Sequence, residues 1–413
     1  MSAAAPPAAP ARIDAPTAAR LAVLAGATFV YVTFEVFPVG LIHDIAADLD
    51  VGAGRIGLLI SGYAVVAALV TIPSVALAAR VSRGTALVVS LLVLVVAELL
   101  AAVATGFATM AVSRVAAALT HGVLWSLIAP AAATLVPRER VGTATAVVFG
   151  GSSLAAIVGS PGTALVGELI GWRATALLLA AATVVVTLAL VWALRPRQTT
   201  TAPPNDGPAA APPGTAGRGT ADRPAVDWPA VLTLCAVAVV LVVAHFLSYT
   251  YFAVIVTEVA GASGAVVVLL AVFGGAGAVG TYLIGRHNDS APQRAAAVTM
   301  AAFAIGVGLL ALAFAPVPTA VRCAVAAVAV AVWGGAFAAA GPVFQTGVMR
   351  LAGGDADRAS SVYVTGFQIG IAGGSALGAT LLGQPVGRLP LISAVLATAV
   401  LATVLIRRPV PVS

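Results

Sequence analysis

Apolar stretches long enough to cross a membrane recur from one end of this chain to the other. They fall at roughly 20–42, 56–79, 85–104, 107–136, 141–167, 172–194, 229–257, 263–285, 294–315, 318–345, 359–383 and 388–407. An α-helix needs about 20 apolar residues to span the hydrocarbon of a bilayer. Only 9% of the residues are charged, against about 25% in soluble domains, so a soluble fold would lack polar residues to cover its surface. The sequence therefore predicts an all-α membrane protein with twelve transmembrane helices, numbered here as spans 1 to 12.

A polar, proline-rich stretch separates spans 1–6 from spans 7–12. Such a stretch cannot bury enough apolar surface to fold, so we predict a flexible cytoplasmic linker. The predicted organisation is a cytoplasmic tail at 1–19, a six-helix bundle at 20–194, the linker at 195–228, a second six-helix bundle at 229–408 and a cytoplasmic tail at 409–413.

All 21 basic side chains are arginines, and their positions predict how the chain lies in the membrane. If the N-terminus is cytoplasmic, 16 of them fall on the cytoplasmic side and four outside, namely Arg55, Arg173, Arg322 and Arg388. Because basic residues concentrate in cytoplasmic loops, this alternation predicts a multi-pass cell-membrane protein with both termini in the cytoplasm. No basic cluster with interleaved aromatic residues occurs, so no nucleic-acid partner is expected.

Three ionisable residues are predicted to lie inside the membrane: Glu35 in span 1, Glu98 in span 3 and Arg114 in span 4. A charge at that depth costs about 2.5–3.5 kcal/mol on insertion scales, and therefore tends to mark function or pairing. Glu35 and Arg114 each lie about eight residues below the external end of their spans, roughly 12 Å deep. We interpret them as proton-coupling residues, with a static ion pair between spans 1 and 4 as the alternative. Glu98 has only apolar neighbours in the sequence, and its role stays open.

Polar and aromatic side chains at middle depth predict a pocket for a small molecule between the two halves. The candidates for substrate binding are His121, Trp125, His245, Tyr249, Phe252 and Gln368. The first two follow Arg114 at i+7 and i+11, which places all three on one helical face. Aromatic walls with a few hydrogen-bonding tips suit a small polar or amphipathic substrate. For a lone membrane histidine, hydrogen bonding between helices is the alternative role.

Span 5 combines a proline with glycines that permit close helix packing. Pro161 removes a main-chain hydrogen bond and predicts a kink, while Gly159, Gly162 and Gly167 allow neighbouring helices to approach closely. Span 11 carries glycines in equivalent places, which predicts that the two halves are pseudo-repeats. These are Gly366, Gly370, Gly373, Gly374 and Gly378. Plain tight packing is the alternative explanation for the glycines.

Several segments are similar to one family of carriers. The segment 33–46, which reads Thr-Phe-Glu-Val-Phe-Pro-Val-Gly-Leu-Ile-His-Asp-Ile-Ala, resembles the first-helix signature of bacterial drug and sugar proton antiporters of the major facilitator type. Arg114 followed by His-Gly-Val-Leu-Trp-Ser at 121–126 looks like the fourth-helix motif of their sugar efflux branch. Further likeness at 159–173, 244–251 and 274–277 extends the resemblance over nearly the whole chain apart from the tail and linker.

The resemblance implies a major facilitator fold of two six-helix pseudo-repeats, and transport directed outward. It implies that Glu35 and Arg114 belong to the proton machinery and that the candidate pocket residues contact the substrate. Pro38, Gly40 and Asp44 lie in the signature of span 1 and are assigned to gating or helix packing.

The loops that carry a gating pair in this family depart from the pattern. The loop after span 2 usually holds an Asp–Arg pair, whereas Arg80 and Arg83 have no acidic residue beside them here. The second copy, which ends at Asp289, is also incomplete. A cytoplasmic latch built from such pairs is therefore in doubt.

We expect a proton-coupled exporter that works by alternating access and carries sugars, glycosides or related polar solutes. The alternative is a multidrug or antibiotic antiporter for amphenicol-type cargo, and a passive uniporter or a membrane enzyme ranks lower. Cys235 and Cys323 lie far apart, and the sequence shows no metal-spaced cluster and no phosphate-binding glycine loop. The expected partners are a small-molecule substrate, protons and the lipid bilayer. We expect a monomer with no cofactor, no metal ion and no enzymatic activity.

Overall fold

A computed structural model describes residues 14–136, 141–194, 227–288, 291–352, 356–407 and 409 of the protein. Within these ranges the regular structure is entirely helical, without a β-strand. Most of the predicted linker lies outside the described residues, as does Asp289 among the predicted gating residues.

The described ranges contain fifteen α-helices and one π-helical segment. They are α1 (Ala15–Gly40), α2 (Ile42–Asp48), α3 (Ala53–Ala78), α4 (Arg83–Ala102), α5 (Phe107–Ala133), α6 (Val141–Leu154), the π-helical segment Ala155–Gly159, α7 (Ser160–Ile170), α8 (Trp172–Ala193), α9 (Trp228–Tyr249), α10 (Phe252–Ala260), α11 (Gly264–His287), α12 (Pro292–Leu312), α13 (Thr319–Leu351), α14 (Ala356–Leu381) and α15 (Arg388–Arg407).

Eleven helical stretches in the described residues are long and apolar enough to cross a membrane, counting Val147–Ile170 as one. The remaining long helix, α14, has 26 residues and packs against both α3 and α9. It occupies the place of span 11. With α14 included, the described helices agree with the predicted all-α fold of twelve spans.

The two halves begin in the same way, with an aspartate that caps the first helix. Asp14 accepts a hydrogen bond from the main-chain N–H of Thr17 at 3.1 Å, and Asp227 accepts one from Ala230 at 3.1 Å. Aspartate is a favoured N-cap because the first N–H groups of a helix have no partner within it. As a result α1 begins at Ala15, five residues earlier than the start predicted for span 1.

Spans 1 and 7, each predicted as one continuous helix, are both interrupted near the same end. The first is broken at Leu41, three residues after Pro38, between α1 and α2. The second is broken at Thr250 and Tyr251, between α9 and α10. The matching breaks are consistent with a repeated six-helix unit.

We call the side of the bundle where α1 begins and α15 ends the terminal face, and the opposite side the far face. Two long-range contacts at the terminal face each join the start of one helix to the end of another. Arg20 near the start of α1 lies 5.9 Å from the ring of Trp192 near the end of α8. Gln293 at the start of α12 donates to the carbonyl of Val404 near the end of α15 at 2.6 Å.

The halves meet toward the far face around Tyr251, in the break between α9 and α10. Its hydroxyl donates to the carbonyl of Ser375 in α14 at 2.8 Å. Its ring occupies notches at Gly57 of α3 and Gly378 of α14, where an added Cβ atom would overlap the ring. Because α3 belongs to the first half and α14 to the second, this far-face seam joins the halves.

Two further contacts join the halves nearer the middle. Ser61 of α3 donates to the carbonyl of Ala372 in α14 at 2.8 Å. Gly274 of α11 lies so close to the π-helical segment that a Cβ atom would overlap the carbonyl of Ala156. Wide π-helical turns occur often at functional sites, and here the wide turn packs directly against the other half.

We predict that Gly57→Ala destabilises the far-face seam. The added methyl group has no space beside the fully buried Tyr251, so the free energy of unfolding should fall by about 1–3 kcal/mol, as for other overpacked sites. Thermal unfolding of the purified protein in detergent measures the change. Gly62→Ala is the matched control in the same helix, because a Cβ atom there meets nothing within 4 Å. Equal stability of the two variants would contradict the seam.

Candidate transport site

Arg114 of α5 is a buried basic residue of the first half, with 1% of its surface exposed. Its Nη1 atom donates to the carbonyl of Phe34 at 2.7 Å, and its Nη2 atom donates to the carbonyl of Glu35 at 2.6 Å. The guanidinium also lies 4.9 Å from the ring of Tyr63, within the range of cation–π attraction.

Pro38 explains why these carbonyls are available. In an α-helix the carbonyl of Phe34 would accept from the N–H of residue 38, but proline has no N–H and its ring crowds that carbonyl. A buried carbonyl without a donor costs about 1–3 kcal/mol. The charged guanidinium of Arg114 fills this gap and ties α5 to α1.

The predicted meeting of spans 1 and 4 therefore takes place, but through the main chain. Arg114 binds the carbonyl of Glu35 rather than its carboxylate. The carboxylate Oε2 atom lies 3.8 Å from Nδ1 of His121, and the side chain of Glu35 keeps 18% of its surface exposed. The static ion pair considered for these two spans is not how they are joined.

His121 connects this acid with the second half of the protein. Its Nδ1 atom lies 2.8 Å from the hydroxyl of Tyr63 in α3. Its Nε2 atom lies 2.7 Å from the side-chain amide of Gln368 in α14. The imidazole thus lies beside the carboxylate of Glu35 and is also bonded to the opposite half of the protein.

A cavity of about 850 Å³ lies between α3, α5, α9 and α14. It begins at His121 and Gln368 and extends toward the terminal face. It is lined by Ala68, Thr71, Ile72, His121, Gly122, Trp125, Ser126, Ala129, Pro130, Leu232, Cys235, Ala236, Val239, Val362, Val364, Thr365, Gly366, Gln368 and Ile369. Among these, Trp125 provides an aromatic wall and stacks on Phe149 at 5.5 Å between ring centroids. Three of the six predicted pocket residues, His121, Trp125 and Gln368, therefore share one cavity.

The other three predicted pocket residues lie elsewhere. His245, Tyr249 and Phe252 are buried in an aromatic cluster of the second half and do not line the cavity. Nδ1 of His245 accepts a hydrogen bond from the indole N–H of Trp333 at 3.1 Å, and its ring stacks on Phe337. Their contact with a substrate stays a prediction, since in this conformation the cluster is closed.

Glu98 lies apart from the cavity, fully buried between α4 and α8. Its Oε1 atom accepts a hydrogen bond from Thr183 at 2.9 Å, while Oε2 has no hydrogen-bond partner. The neighbouring Ser113 donates to the carbonyl of Ala97 at 2.6 Å. These contacts join helices of one half, and the acid has no contact with Arg114 or His121.

The predicted packing residues of spans 1 and 5 face each other in part. A Cβ atom added at Gly159 would overlap Thr33, and one added at Gly167 would overlap Leu41. Gly40 lies against Ala164 of α7, three residues after Pro161. Gly162 meets nothing within 4 Å, so close packing does not explain that glycine.

The predicted gating charges have few partners in the described residues. All three are exposed: Asp44 at the start of α2, Arg80 between α3 and α4, and Arg83 at the start of α4. On the far face it is Asp48, one turn after Asp44, that forms an ion pair, with Arg173. Asp48 also accepts from the indole N–H of Trp172 at 2.8 Å.

Sequence reasoning missed several residues of the site and of the seam. Tyr63 and Trp333 are the direct partners of the two deep histidines, and Tyr251 closes the far face with Gly57. Tyr31 and Tyr63 flank His121 in edge-on contacts. The only sequence signal for these two tyrosines is a hydroxyl-bearing ring at membrane depth.

Residues 23–375 match the sequence profile of the Major Facilitator Superfamily. The chain belongs to this superfamily. Two relatives from two strains of Mycobacterium tuberculosis, both named "Chloramphenicol efflux pump", are 39% identical to it over 368 and 366 residues. Each alignment covers 88% of this chain and 86% of the relative.

Solved structures of the same superfamily share the fold. A bacterial homologue of the human lysosomal transporter Spinster, in an inward-facing and unoccupied conformation, superimposes with a TM-score of 0.71 at 15% identity, covering 97% of this chain and 98% of that one. A D-xylose–proton symporter gives a TM-score of 0.69 at 16% identity, covering 96% and 98%. The protein is thus a multi-pass membrane transporter of this superfamily and not an enzyme. Among the described residues there is no group of side chains that could hold a metal ion.

We predict that Arg114→Leu lowers the free energy of unfolding by about 1–3 kcal/mol, because it leaves the Phe34 carbonyl buried without a donor. Adding Pro38→Ala restores a main-chain N–H for that carbonyl, so the double variant should lose less than the sum of the two single changes. Unfolding in detergent of the four proteins of this cycle measures the coupling. Pro342→Ala, a helix-interior proline of α13, should combine additively with Arg114→Leu. Additive loss with Pro38→Ala as well would contradict the assignment.

Proposed function

We propose that this protein is a proton-driven exporter of small amphipathic drugs of the chloramphenicol type. The observation that carries the proposal is a one-sided cavity that ends at His121, whose imidazole lies 3.8 Å from the carboxylate of Glu35. A cargo molecule and a proton-exchanging acid therefore meet at one side chain. That is the arrangement that coupled transport requires.

The cavity suits an amphipathic aromatic molecule. Its volume of about 850 Å³ lies within the range of about 300–1,000 Å³ found for small-molecule sites. Trp125 offers a ring for stacking, while His121, Gln368 and Thr71 offer hydrogen bonds among mostly apolar neighbours. None of the described side chains that line the cavity is charged, which favours a neutral cargo.

The relatives favour a drug over the sugar that the sequence led us to expect first. Both relatives at 39% identity are named for chloramphenicol efflux. The D-xylose symporter is only 16% identical and supports the fold alone. The cargo that we propose is accordingly the amphenicol alternative, with sugars as the competing outcome of the cargo experiment below.

Coupling follows from the hydrogen bonds of His121. Cargo that bonds to its Nε2 atom must displace the amide of Gln368, which now lies 2.7 Å away. A new hydrogen bond at Nε2 shifts the imidazole and its proton, and so alters the contacts of Nδ1 with the hydroxyl of Tyr63 and the carboxylate of Glu35. If both termini are cytoplasmic, as the arginine distribution predicts, the cavity admits cargo from the cytoplasm. Opening of the far-face seam then releases cargo outside, and Glu35 takes up a proton there for return.

We predict that Glu35→Gln abolishes the exchange of protons for cargo. The amide cannot carry the proton, yet the main-chain carbonyl bound by Arg114 is retained. In everted vesicles energised by respiration, adding chloramphenicol to the wild type should release lumenal protons, which a pH-sensitive dye reports. Glu98→Gln is the matched control, because that acid is buried away from the cavity, and it should keep the signal. Proton release by Glu35→Gln at the wild-type level would refute the proposed role.

We predict that Trp125→Ala weakens chloramphenicol transport about 2- to 12-fold in half-saturating concentration, the effect of losing one aromatic contact. Trp192→Ala serves as control, since this ring lies on the outer surface of α8 and is 48% exposed.

The same proton assay with a panel of mono- and disaccharides tests which cargo the protein carries. Proton release with sugars and none with chloramphenicol would replace the drug proposal by the sugar one.

A further inference from the structure

A second large recess lies in the other half of the protein, far from His121. It has a volume of about 910 Å³ and is bounded by α11, α12 and α13. It is lined by Ala276, Val279, Gly280, Leu283, Ile284, Ala291, Arg294, Ala295, Val298, Thr299, Ala302, Ala331, Val332, Gly335, Ala336 and Ala339. None of these residues lines the central cavity, so this recess, the α11–α12 groove, is a separate feature.

The groove exists because small residues form its floor while larger ones stand at its rims. Gly280 of α11 lies so close to Gly335 of α13 that a Cβ atom would overlap the Gly335 carbonyl. α11 and α12 themselves touch only slightly, so a gap remains between them over this floor. Val279, Leu283 and Val298 are 57%, 52% and 60% exposed. The gap is thus open sideways to the lipid.

One charged side chain is found among the described residues that line the groove. It is Arg294, which lies in the first turn of α12 and is exposed, and none of the described lining residues is acidic. The same helix end has Ala291 as its N-cap, without a side-chain cap, so its first N–H groups carry the positive end of the helix dipole. An apolar trough with a positive mouth is complementary to an amphiphile with an anionic head.

The length of the groove matches one leaflet of a bilayer. From Ala291 to Ala302 the helix rises about 16 Å at 1.5 Å per residue, and half of a hydrocarbon core of about 30 Å is about 15 Å. The positive mouth lies at the terminal face, where lipid headgroups of that leaflet lie. Basic pockets between transmembrane helices are known to hold anionic headgroups.

We propose that the α11–α12 groove binds an anionic phospholipid of the terminal-face leaflet. Its phosphate lies against Arg294 and the start of α12, and one acyl chain follows the small residues of α11 and α13 to the middle of the membrane. Because the surrounding bilayer is as apolar as the groove, close packing and the headgroup charge supply the preference rather than the hydrophobic effect.

Native mass spectrometry of the full-length protein tests this. The detergent-solubilised protein is incubated with equal amounts of phosphatidylglycerol and phosphatidylcholine that carry the same acyl chains. The wild type should retain phosphatidylglycerol preferentially, and Arg294→Gln should reduce that preference about fivefold, the effect of one basic residue near a membrane surface. Arg83→Gln is the matched control, because Arg83 occupies the first turn of α4, the corresponding helix of the other half, and lines neither the central cavity nor the α11–α12 groove.

A second variant separates the groove from the charge. Ala302→Leu fills the groove from the α12 wall and keeps Arg294, so it should lower the retention of both lipids and leave their ratio near that of the wild type. An unchanged ratio in Arg294→Gln, or an equal fall in Arg83→Gln, overturns the headgroup site. Unchanged retention in Ala302→Leu overturns the acyl-chain site.

Discussion

The first half of this transporter is organised around an arginine that satisfies main-chain carbonyls deep in the membrane. Pro38 deprives the Phe34 carbonyl of its helical donor, and Arg114 supplies the replacement. In hydrocarbon no water is available to do so, and an unpaired carbonyl there costs several kcal/mol. The same contact holds α1 against α5. It thereby places the carboxyl group of Glu35 beside His121, while Arg114 binds the main-chain carbonyl of Glu35 instead of its carboxyl group.

The one-sided cavity follows from where the halves are close-packed. Toward the far face, Tyr251 fits into notches that only glycine leaves open in α3 and α14. Toward the terminal face, the same two helices diverge around the cavity that ends at His121 and Gln368. Packed interfaces tend to have discrete arrangements rather than deform continuously. In the alternating access that we propose, this seam opens as another forms at the terminal face.

Pairs of similar residues acquire different roles from their neighbours. Glu35 keeps an exposed edge beside His121, whereas Glu98 is fully buried against Thr183 between helices of one half. His121 lines the cavity and reaches across the halves, while His245 is enclosed by aromatic rings and bonded to Trp333. A buried polar group is most often a structural partner. In the proposed mechanism, contact with the cavity and with the interface between the halves distinguishes the functional one.

The sequence by itself determined that the protein is embedded in a membrane, that it has twelve spans, and that Glu35 and Arg114 lie at matching depth. These properties depend on composition and on distance along the chain, and both can be read directly from the sequence. Only the tertiary structure decided that Arg114 binds carbonyls instead of the carboxylate, that His121 rather than His245 lines the cavity, and that Gly57 receives the ring of a residue 194 positions away. The reason is physical: such contacts depend on the rotation and crossing of helices, and nearly uniform apolar spans carry little periodic signal of which side faces which neighbour.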